Sequence, residues 1–417
     1  MARLLLLLPT ATYRAADFLA AARALGAEVV VASERRLVSM GDAQLTLDLC
    51  RPDAAAEAIA ALAEERPLDA VVAVDDQGVR VAALAAERLG LPGNPPEAAA
   101  ATRDKAAMRR ALAVAGVPQP EHRMVDPGDD PTAVAADVGL PCVVKPLSLS
   151  ASRGVIRADD PQAAAAAVVR VRKILADAGE DPEEALLIER YVPGAEVSVE
   201  GLLRAGSLET LAVFDKPDPL EGPYFEETIF TTPSRLPAEV VAAVTRMTAD
   251  ACAALGLREG PVHAELRTDG EGVWVLELAA RSIGGLCSRS LRFGVGVSLE
   301  EVILRHALGL PLGDLRREAA ASGVMMLPIP RAGVLREVRG QDEARAVPGI
   351  AGVEISIGRG RPVRPLPEGD RYLGFLFARG ETPAQVEHAL RAAHGRLEID
   401  IAEPAAADRP EPATARG

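Results

Sequence analysis

The first 92 residues alternate short apolar runs with alanine-rich stretches of helical length, and this alternation limits the possible folds more than any other feature. The apolar runs predict β-strands at residues 4–8, 28–32 and 70–74. The alanine-rich stretches predict helices at residues 15–25, 54–65 and 78–89. Strands that alternate with helices indicate βαβ units and a parallel sheet. The amino-terminal part is therefore expected to be a Rossmann-like α/β domain.

The carboxyl ends of these strands are the expected place for a ligand, because open parallel sheets bind their ligands there. Thr10, Ser33 and Asp75 each follow or end a predicted strand, so we expect them to face a cleft. No G-x-G-x-x-G pattern follows the first strand, and the sequence therefore does not indicate a dinucleotide site.

Charge and composition exclude several other classes of protein. The chain has 46 Lys and Arg against 60 Asp and Glu, a net charge of −14, so nucleic acid and anionic membranes are not expected partners. The apolar run at residues 4–8 ends at Pro9 and is too short for a signal peptide or a membrane span. The four cysteines include no C-x-x-C pair, which argues against a zinc site or a disulfide framework. We expect a reduced, cytoplasmic protein, and a homodimer as the commonest oligomer.

After a Pro/Gly-rich break at residues 91–96, the pattern changes to short mixed elements that predict an α+β region. Helices are predicted at residues 98–115, 162–178, 238–255, 299–308 and 383–393. Strands are predicted at residues 141–146, 186–189, 196–203, 208–215, 262–267, 273–278, 324–328, 352–356, 373–378 and 397–401. The tail after residue 403 is rich in Pro, Ala and Glu and is predicted to be unstructured.

A lysine followed by a loop of small residues is the first candidate site. Lys145 ends a predicted strand, and Ser-Leu-Ser-Ala-Ser-Arg-Gly follows at residues 148–154. Such a loop either surrounds phosphate oxygens with backbone N–H groups beside the lysine charge, or is a hairpin turn beside a solvated lysine. A second candidate is the segment at residues 189–196, Glu-Arg-Tyr-Val-Pro-Gly-Ala-Glu. It is either an extended connector that binds adenine and ribose, or a Pro-Gly turn with acids on the surface.

Two acids on a predicted hairpin are the most informative pattern. Glu265 and Glu277 lie on strands joined by Asp-Gly-Glu-Gly at residues 269–272, so their side chains can point the same way. Both stand among apolar residues, where a carboxylate needs a partner or a metal. Their hard oxygen atoms suit Mg²⁺, whereas the alternative is ion pairing with Arg267 and Arg281. Ser-Ile-Gly-Gly follows Arg281, which fits either a close backbone approach to a ligand or a plain glycine turn.

Taken in order, these features resemble the ATP-grasp superfamily over about residues 1–312. Residues 276–285, Leu-Glu-Leu-Ala-Ala-Arg-Ser-Ile-Gly-Gly, are similar to the L-amino acid ligases, and residues 321–402 resemble the small C-terminal domain of that family. The resemblance implies an α/β and α+β multidomain protein with an ATP-grasp fold. The implied limits are 1–92 for the Rossmann-like domain, 93–120 for a helical linker, 121–189 for the lid subdomain, 190–320 for the catalytic subdomain, 321–402 for the C-terminal α+β domain and 403–417 for a disordered tail.

The resemblance also assigns roles to residues. It implies that residues 150–154 form a mobile loop that covers the phosphates, and that the loop at residues 148–154 serves as the lid. The residues implied to contact ATP are Lys105, Lys145, Ser150, Ser152, Gly154, Glu189, Tyr191, Val192, Glu196 and His263. Glu265 and Glu277 would bind Mg²⁺, with Mn²⁺ as the alternative metal. Arg281 and Glu277 would act on the transferred phosphoryl group. Ala279 stands where the superfamily commonly has Asn, so the number of metal ions stays open.

The implied function is an ADP-forming carboxylate–amine ligase that makes an amide bond through an acylphosphate. Its partners would be ATP and small amino acid or carboxylate substrates. An ATP-grasp carboxylase, a purine-pathway ligase and a nucleotide-binding module without turnover are the alternatives. Residues 222–228, which contain Tyr224 and Phe225, are expected to line the substrate pocket.

Overall fold

The computed structural model describes residues 1–10, 12–36 and 43–403, so the tail predicted to be unstructured lies outside the described residues except for Glu403. The amino-terminal part is a parallel sheet with strands in the order β3-β2-β1-β4, which confirms the predicted sheet type. Its elements are β1 (Arg3–Leu7), α1 (Ala15–Ala24), β2 (Glu28–Ser33), β3 (Gln44–Thr46), α2 (Pro52–Glu65), β4 (Ala70–Ala73) and α3 (Asp76–Leu89). The apolar first run is the buried centre of this sheet, since the four leucines of β1 are 0% exposed.

The single helix predicted at residues 98–115 is wrong, because it is interrupted at residues 102–104. The structure has α4 (Pro96–Ala101) followed by α5 (Lys105–Ala115). The Asp104 carboxylate accepts hydrogen bonds from the N–H groups of Ala106 and Ala107, at 2.8 and 3.1 Å, and so caps a new helix. As a result, Lys105 stands at the first residue of α5 rather than in the middle of a long helix.

The next part is a small antiparallel sheet with strands in the order β5-β8-β6-β7. Its elements are β5 (His122–Val125), α6 (Pro131–Val138), β6 (Cys142–Lys145), β7 (Ile156–Ala158), α7 (Pro161–Ala178) and β8 (Leu186–Arg190). The sequence did not predict β5 and α6, which are short and lie beside prolines. The loop of small residues connects β6 to β7.

The remaining strands form two sheets, and the larger has eight strands in the order β13-β12-β9-β10-β11-β14-β18-β16. A smaller sheet, β17-β15-β19, covers part of the carboxyl-terminal region. The elements are β9 (Ala195–Arg204), β10 (Ser207–Asp215), β11 (Ile229–Thr232), α8 (Ala238–Leu255), β12 (Gly260–Thr268), β13 (Val273–Ala279), α9 (Leu299–Ala307), β14 (Ala321–Leu327), β15 (Gly333–Arg339), α10 (Gln341–Arg345), β16 (Ile350–Ile355), β17 (Pro362–Val363), β18 (Gly374–Gly380), α11 (Pro383–His394) and β19 (Glu398–Ala402).

The large sheet continues across the boundary predicted at residue 320. Strand β11 pairs with β14, with Ile229 opposite Met325 and Thr232 opposite Ser322. One buried apolar cluster also joins β1, β10, α9 and β18. The parts of the chain therefore pack around a common centre. Within the described residues, no helix combines the length and the apolar character that crossing a membrane would need.

Candidate functional site

One cavity of about 690 Å³ is lined by all the predicted site residues except Gly154. Gly154 lies outside the lining, and its N–H donates to the carbonyl of Pro367 at 3.0 Å. Of the strand-end residues expected at a cleft, Asp75 lines the cavity. Thr10 and Ser33 do not, and Thr10 Oγ1 instead donates to Glu34 at 2.7 Å.

The two hairpin acids face the same cavity. Glu265 on β12 lies directly opposite Glu277 on β13, and an irregularity in the strand pairing follows Glu265. Their side chains are 23% and 36% exposed. Lys105 Nζ lies 3.5 Å from Glu277 Oε1. The hairpin therefore presents two carboxylates to the cavity, and α5 places a lysine beside them.

A buried lysine next to Glu265, Lys216, also forms ion pairs with Glu196 and Glu227. Lys216, just after β10, places its Nζ 2.6 Å from Glu196 Oε1 and 3.3 Å from Glu265 Oε1, and also donates to Glu227. Burial and, next, the charge of Glu265 together raise the pKa of Glu227 to about 8, although Lys216 opposes the rise. Burial would raise the pKa of Glu265, but Lys216 and His263 together outweigh burial and hold that pKa well below the usual range. Three carboxylates thus surround one ammonium group.

The donor set fits a hard divalent cation. Carboxylate oxygens of Glu196, Glu227 and Glu265 lie within 4.8 Å of one another. Lys216 contacts all three of these acids, and Glu277 lies outside the cluster, opposite Glu265 on the neighbouring strand. Oxygen ligands of this kind suit Mg²⁺ and Mn²⁺. Glu265 and Glu277, the two predicted metal ligands, are more exposed to the cavity than Glu196 and Glu227.

His263 is enclosed by carboxylates. Its Nδ1 contacts Glu200, and its Nε2 lies 3.4 Å from Glu265 Oε1. Burial alone would lower the pKa of His263, but Glu200 outweighs it and raises the pKa to about 9. The resemblance implies a nucleotide contact for His263, and in the structure its ring lies between Glu200 and Glu265 in the cavity wall.

Glu189 holds one of the predicted phosphate lysines. It is 1% exposed and pairs with Lys145 Nζ at 2.6 Å and Arg109 Nε at 2.5 Å. Burial would raise the pKa of Glu189, yet Arg109 and Lys145 outweigh it and lower the pKa to about 2. Lys105 Nζ, in turn, donates to the carbonyl of Leu149 at 2.9 Å. Both lysines are thus anchored beside the loop at residues 148–154.

The connector after β8 is already hydrogen-bonded to protein groups. The N–H of Tyr191 donates to Pro141 O at 2.9 Å, and Val192 O accepts from Arg267 Nη1 at 2.7 Å. Arg267 Nε also donates to Glu196 at 2.8 Å. The carboxylate and backbone groups expected to meet adenine and ribose are therefore partly used by Arg267. Ion pairing of Arg267 with the hairpin acids was the alternative to metal binding, and in the structure Arg267 pairs with Glu196 instead.

Arg281 is anchored by the amino-terminal domain. Its Nε and Nη2 donate to the two carboxylate oxygens of Asp76 at 3.1 and 3.0 Å. The buried Arg14 donates to the carbonyls of Val74 and Ser282 at 2.7 and 3.3 Å. Asp76 was not predicted as a site residue, although its place after the third predicted strand was a usable signal.

The acidic loop at residues 222–228 contributes two residues to the cavity. Phe225 and Glu227 line it, which agrees with the expectation for this segment, whereas Tyr224 does not. Glu227 and Lys216 are functional candidates that the sequence analysis did not name. The signal for Lys216 was weak, since one lysine at a strand end is usually solvated.

Comparisons with known proteins agree with this geometry. Residues 19–93 match the family model for the ATP-grasp N-terminal domain, and residues 138–290 match the model for the ATP-grasp domain. Residues 325–402 match the model named L-amino acid ligase C-terminal domain 2.

Among curated proteins, the chain is 28% identical over 265 residues to the alanine–anticapsin ligase of Bacillus subtilis, which covers 60% of this chain and 56% of that protein. It is 32% identical over 221 residues to a D-alanine–D-alanine ligase of Desulforudis audaxviator, covering 49% of this chain and 67% of that protein. The chain spans 56% to 60% of the length of the alanine–anticapsin ligases that it matches.

The fold is shared with a solved L-amino acid ligase from Bacillus licheniformis. The TM-score is 0.81 at 24% sequence identity, and the match covers 97% of this chain and 99% of that one. A phosphoribosylglycinamide synthetase from Anaerococcus prevotii matches with a TM-score of 0.70 at 16% identity, over 96% and 100% of the two chains. The chain belongs to the ATP-grasp superfamily, and it carries a C-terminal domain of the L-amino acid ligase type.

Proposed function

We propose that this protein is an ADP-forming ligase that joins a carboxylate to an amine and takes an amino acid as a substrate. The observation that carries the proposal is the directly opposed pair Glu265 and Glu277 in the cavity that also contains Lys105, Lys145 and Arg281. A triphosphate needs this combination of cations and metal-binding acids. The similarity to carboxylate–amine ligases supports the same proposal.

The cations divide the cavity into a nucleotide side and a reacting side. Lys105 and Lys145 lie beside the loop at residues 148–154, so the triphosphate of ATP is proposed to lie there. Mg²⁺ bound by Glu265 and Glu277 would supply neutralising charge at the terminal phosphates. Arg281 is then the cation at the reacting end.

The proposed reaction has two steps. An oxygen of the substrate carboxylate attacks the γ-phosphorus of ATP, the bond to the β-phosphate breaks, and ADP and an acylphosphate form. The amine nitrogen then attacks the acyl carbon, loses a proton and expels phosphate. Arg281 stabilises negative charge on the transferred group, which is where this chemistry needs it.

An acylphosphate reacts readily with water, so the cavity must be closed during turnover. The loop at residues 148–154 is the proposed lid. Ala151 and Ser152 of this loop have positive φ angles of 56° and 55°, an uncommon conformation for residues with a side chain. The loop also touches the carboxyl-terminal part through the hydrogen bond of Gly154.

The test is a screen for release of ADP and phosphate with pairs of amino acids, in buffer free of bicarbonate, followed by mass spectrometry of the products. We expect phosphate release that needs an amino acid and ATP, and a product mass equal to the two substrates minus one water. Release that requires bicarbonate would instead identify a carboxylase. ATP binding without release under every condition would identify a nucleotide-binding module.

A further inference from the structure

One arginine outside the cavity lining contacts two other parts of the chain. Arg170 lies on α7, which packs against the small antiparallel sheet. Its Nε donates to Glu368 Oε1 at 2.7 Å, in the segment between β17 and β18. Its Nη1 donates to the Tyr224 hydroxyl, and its Cζ stands 5.1 Å from the centroid of the Tyr224 ring. Arg170 therefore joins α7 both to the loop at residues 222–228 and to the carboxyl-terminal part.

The loop at residues 148–154, which is the proposed lid, meets the same carboxyl-terminal segment. The N–H of Gly154 donates to the carbonyl of Pro367 at 3.0 Å. Ala151 of the loop lines a residual cavity of about 10 Å³ together with Glu226 and Pro365. A space of that volume holds about one water molecule. The lid, the loop at residues 222–228 and the carboxyl-terminal segment are therefore closely packed at this point.

Strand β7, at the end of the lid, also holds the loop at residues 222–228. The N–H of Arg157 donates to the carbonyl of Pro223 at 2.9 Å, and its Nη1 donates to the carbonyl of Glu221 at 2.6 Å. The same loop carries Glu227 into the cavity. The position of the lid and the position of a cavity acid are thus mechanically linked.

The ion pair of Arg170 with Glu368 suits a contact that forms and breaks in each turnover. The two side chains are 43% and 33% exposed, and a pair in contact with water contributes little stability. In the pair of Arg109 with Glu189, by contrast, both side chains are 2% exposed, and a buried pair is costly to break. The Arg109 pair therefore holds β8 to α5 permanently, whereas the Arg170 pair can open.

The acylphosphate gives a chemical reason for such a contact. If the cavity opens before the amine has reacted, a water oxygen attacks the acyl carbon, the bond to phosphate breaks, and the acid substrate is regenerated. ATP is then hydrolysed to ADP and phosphate without an amide product. We propose that Arg170 is a positioning residue that keeps the lid closed, through Glu368 and Tyr224, until the amine attacks. This inference rests on the proposed ligase function, and it gives the carboxyl-terminal part a role in the yield of amide per ATP.

The experiment measures the ratio of phosphate released to amide formed, in one reaction, with the amino acid pair that gives product in the screen above. The variants are Arg170→Gln, Glu368→Gln, the double variant and Tyr224→Phe. The matched control is Lys173→Gln, an exposed residue one turn further along α7 that pairs with Asp177. Thermal unfolding of each variant checks that it is folded.

The wild type is expected to release about one phosphate per amide bond. In Arg170→Gln and in Glu368→Gln this ratio should rise about twofold or more, and the excess phosphate should require the acid substrate. The double variant should match Arg170→Gln, because the two residues act through one contact. Tyr224→Phe should show a smaller rise, and Lys173→Gln none.

An unchanged ratio in Arg170→Gln, at whatever rate product forms, overturns the inference. Rises that multiply in the double variant also overturn it, since the two residues would then act separately. Should Arg170→Gln fail to fold, the ratio in Glu368→Gln decides in the same way. No amide from the wild type with any pair of amino acids overturns the proposed ligase function, and this inference with it.

Discussion

The two hairpin acids differ in how firmly the protein holds them. Glu265 is in contact with Lys216 and lies 3.4 Å from His263, whereas Glu277 has the more distant Lys105 at 3.5 Å. Glu277 can therefore turn toward a cation and phosphate at a smaller energetic cost than Glu265. This makes Glu277 the acid whose removal tests the chemistry with the least structural damage.

We expect Glu277→Gln to reduce amino-acid-dependent ADP formation by about 100-fold or more, since a metal ligand contributes several kcal/mol to phosphoryl transfer. The thermal midpoint should change little. The matched control is Glu271→Gln, an exposed acid in the turn of the same hairpin. Full activity in Glu277→Gln, measured by ADP release across a Mg²⁺ titration, would argue against the proposed metal pair.

Glu189 predicts a pH dependence of stability. Its pKa is lowered from 4.5 to about 2 in the folded state, so its ionised form stabilises the protein fully above pH 4.5, and this contribution disappears as the pH falls through 2. Glu189→Gln should cost on the order of 3 kcal/mol at pH 7, because Arg109 and Lys145 lose their buried partner. The difference in unfolding free energy between wild type and variant should shrink below pH 4.5. A difference that is constant from pH 7 to pH 3 would contradict this assignment.

At the scale of elements, the break between α4 and α5 decides where Lys105 stands. The Asp104 cap begins α5, and the next residue reaches Leu149 in the proposed lid. If α4 and α5 were one continuous helix, the backbone at Lys105 would have a different direction and its side chain would lie elsewhere. The cap is thus a local feature with an effect on the site.

Asp104→Ala should lower the unfolding free energy by about 1 kcal/mol, the usual contribution of an N-cap, and should weaken ATP binding because Lys105 becomes less well placed. Asp104→Asn retains a cap and should behave like the wild type in both respects. Thermal unfolding and calorimetric titration with ATP check the two effects. If the Ala and Asn variants bind ATP equally well, the cap does not position Lys105.

At the scale of the whole molecule, Arg281, the arginine proposed to contact the transferred phosphoryl group, pairs with a residue more than 200 positions earlier in the chain. Asp76 lies at the start of α3, and its two oxygens hold Arg281 after β13. Burial would raise the pKa of Asp76, but Arg281 outweighs it and lowers the pKa, so Asp76 stays ionised. The amino-terminal domain therefore takes part in the site through this ion pair.

Asp76→Asn should lower kcat by about tenfold or more with a smaller change in KM for ATP, since Arg281 loses a bidentate partner outside the nucleotide side of the cavity. Asp53→Asn, an exposed acid of α2, is the control. Steady-state kinetics with ATP and the amino acid varied in turn separate the two parameters. A change confined to KM for ATP would place Arg281 on the nucleotide side instead.

The domain limits and the homodimer drawn from the sequence stay predictions. The large sheet crosses residue 320, because β11 pairs with β14, so a cut there would separate hydrogen-bonded strands. Limited proteolysis and size-exclusion chromatography with light scattering are the measurements that check the boundaries and the oligomer.

The site residues implied by the family resemblance, apart from Gly154, line one cavity. The sequence by itself determined the parallel amino-terminal sheet and the β12–β13 hairpin. These features depend on local periodicity and on turn residues such as the Asp-Gly-Glu-Gly segment between Glu265 and Glu277, and nearby residues suffice to specify them. The short strand β5 and the split between α4 and α5 carry weaker periodicity, which explains why they were missed.

Only the tertiary structure decided which charges pair. Lys216 meets Glu196, Glu227 and Glu265, Arg267 meets Glu196, and Arg281 meets Asp76, across separations in sequence that no local pattern reports. A charged side chain is satisfied by whatever partner the fold brings to it, because electrostatic attraction depends on distance in space and on burial rather than on position in the chain.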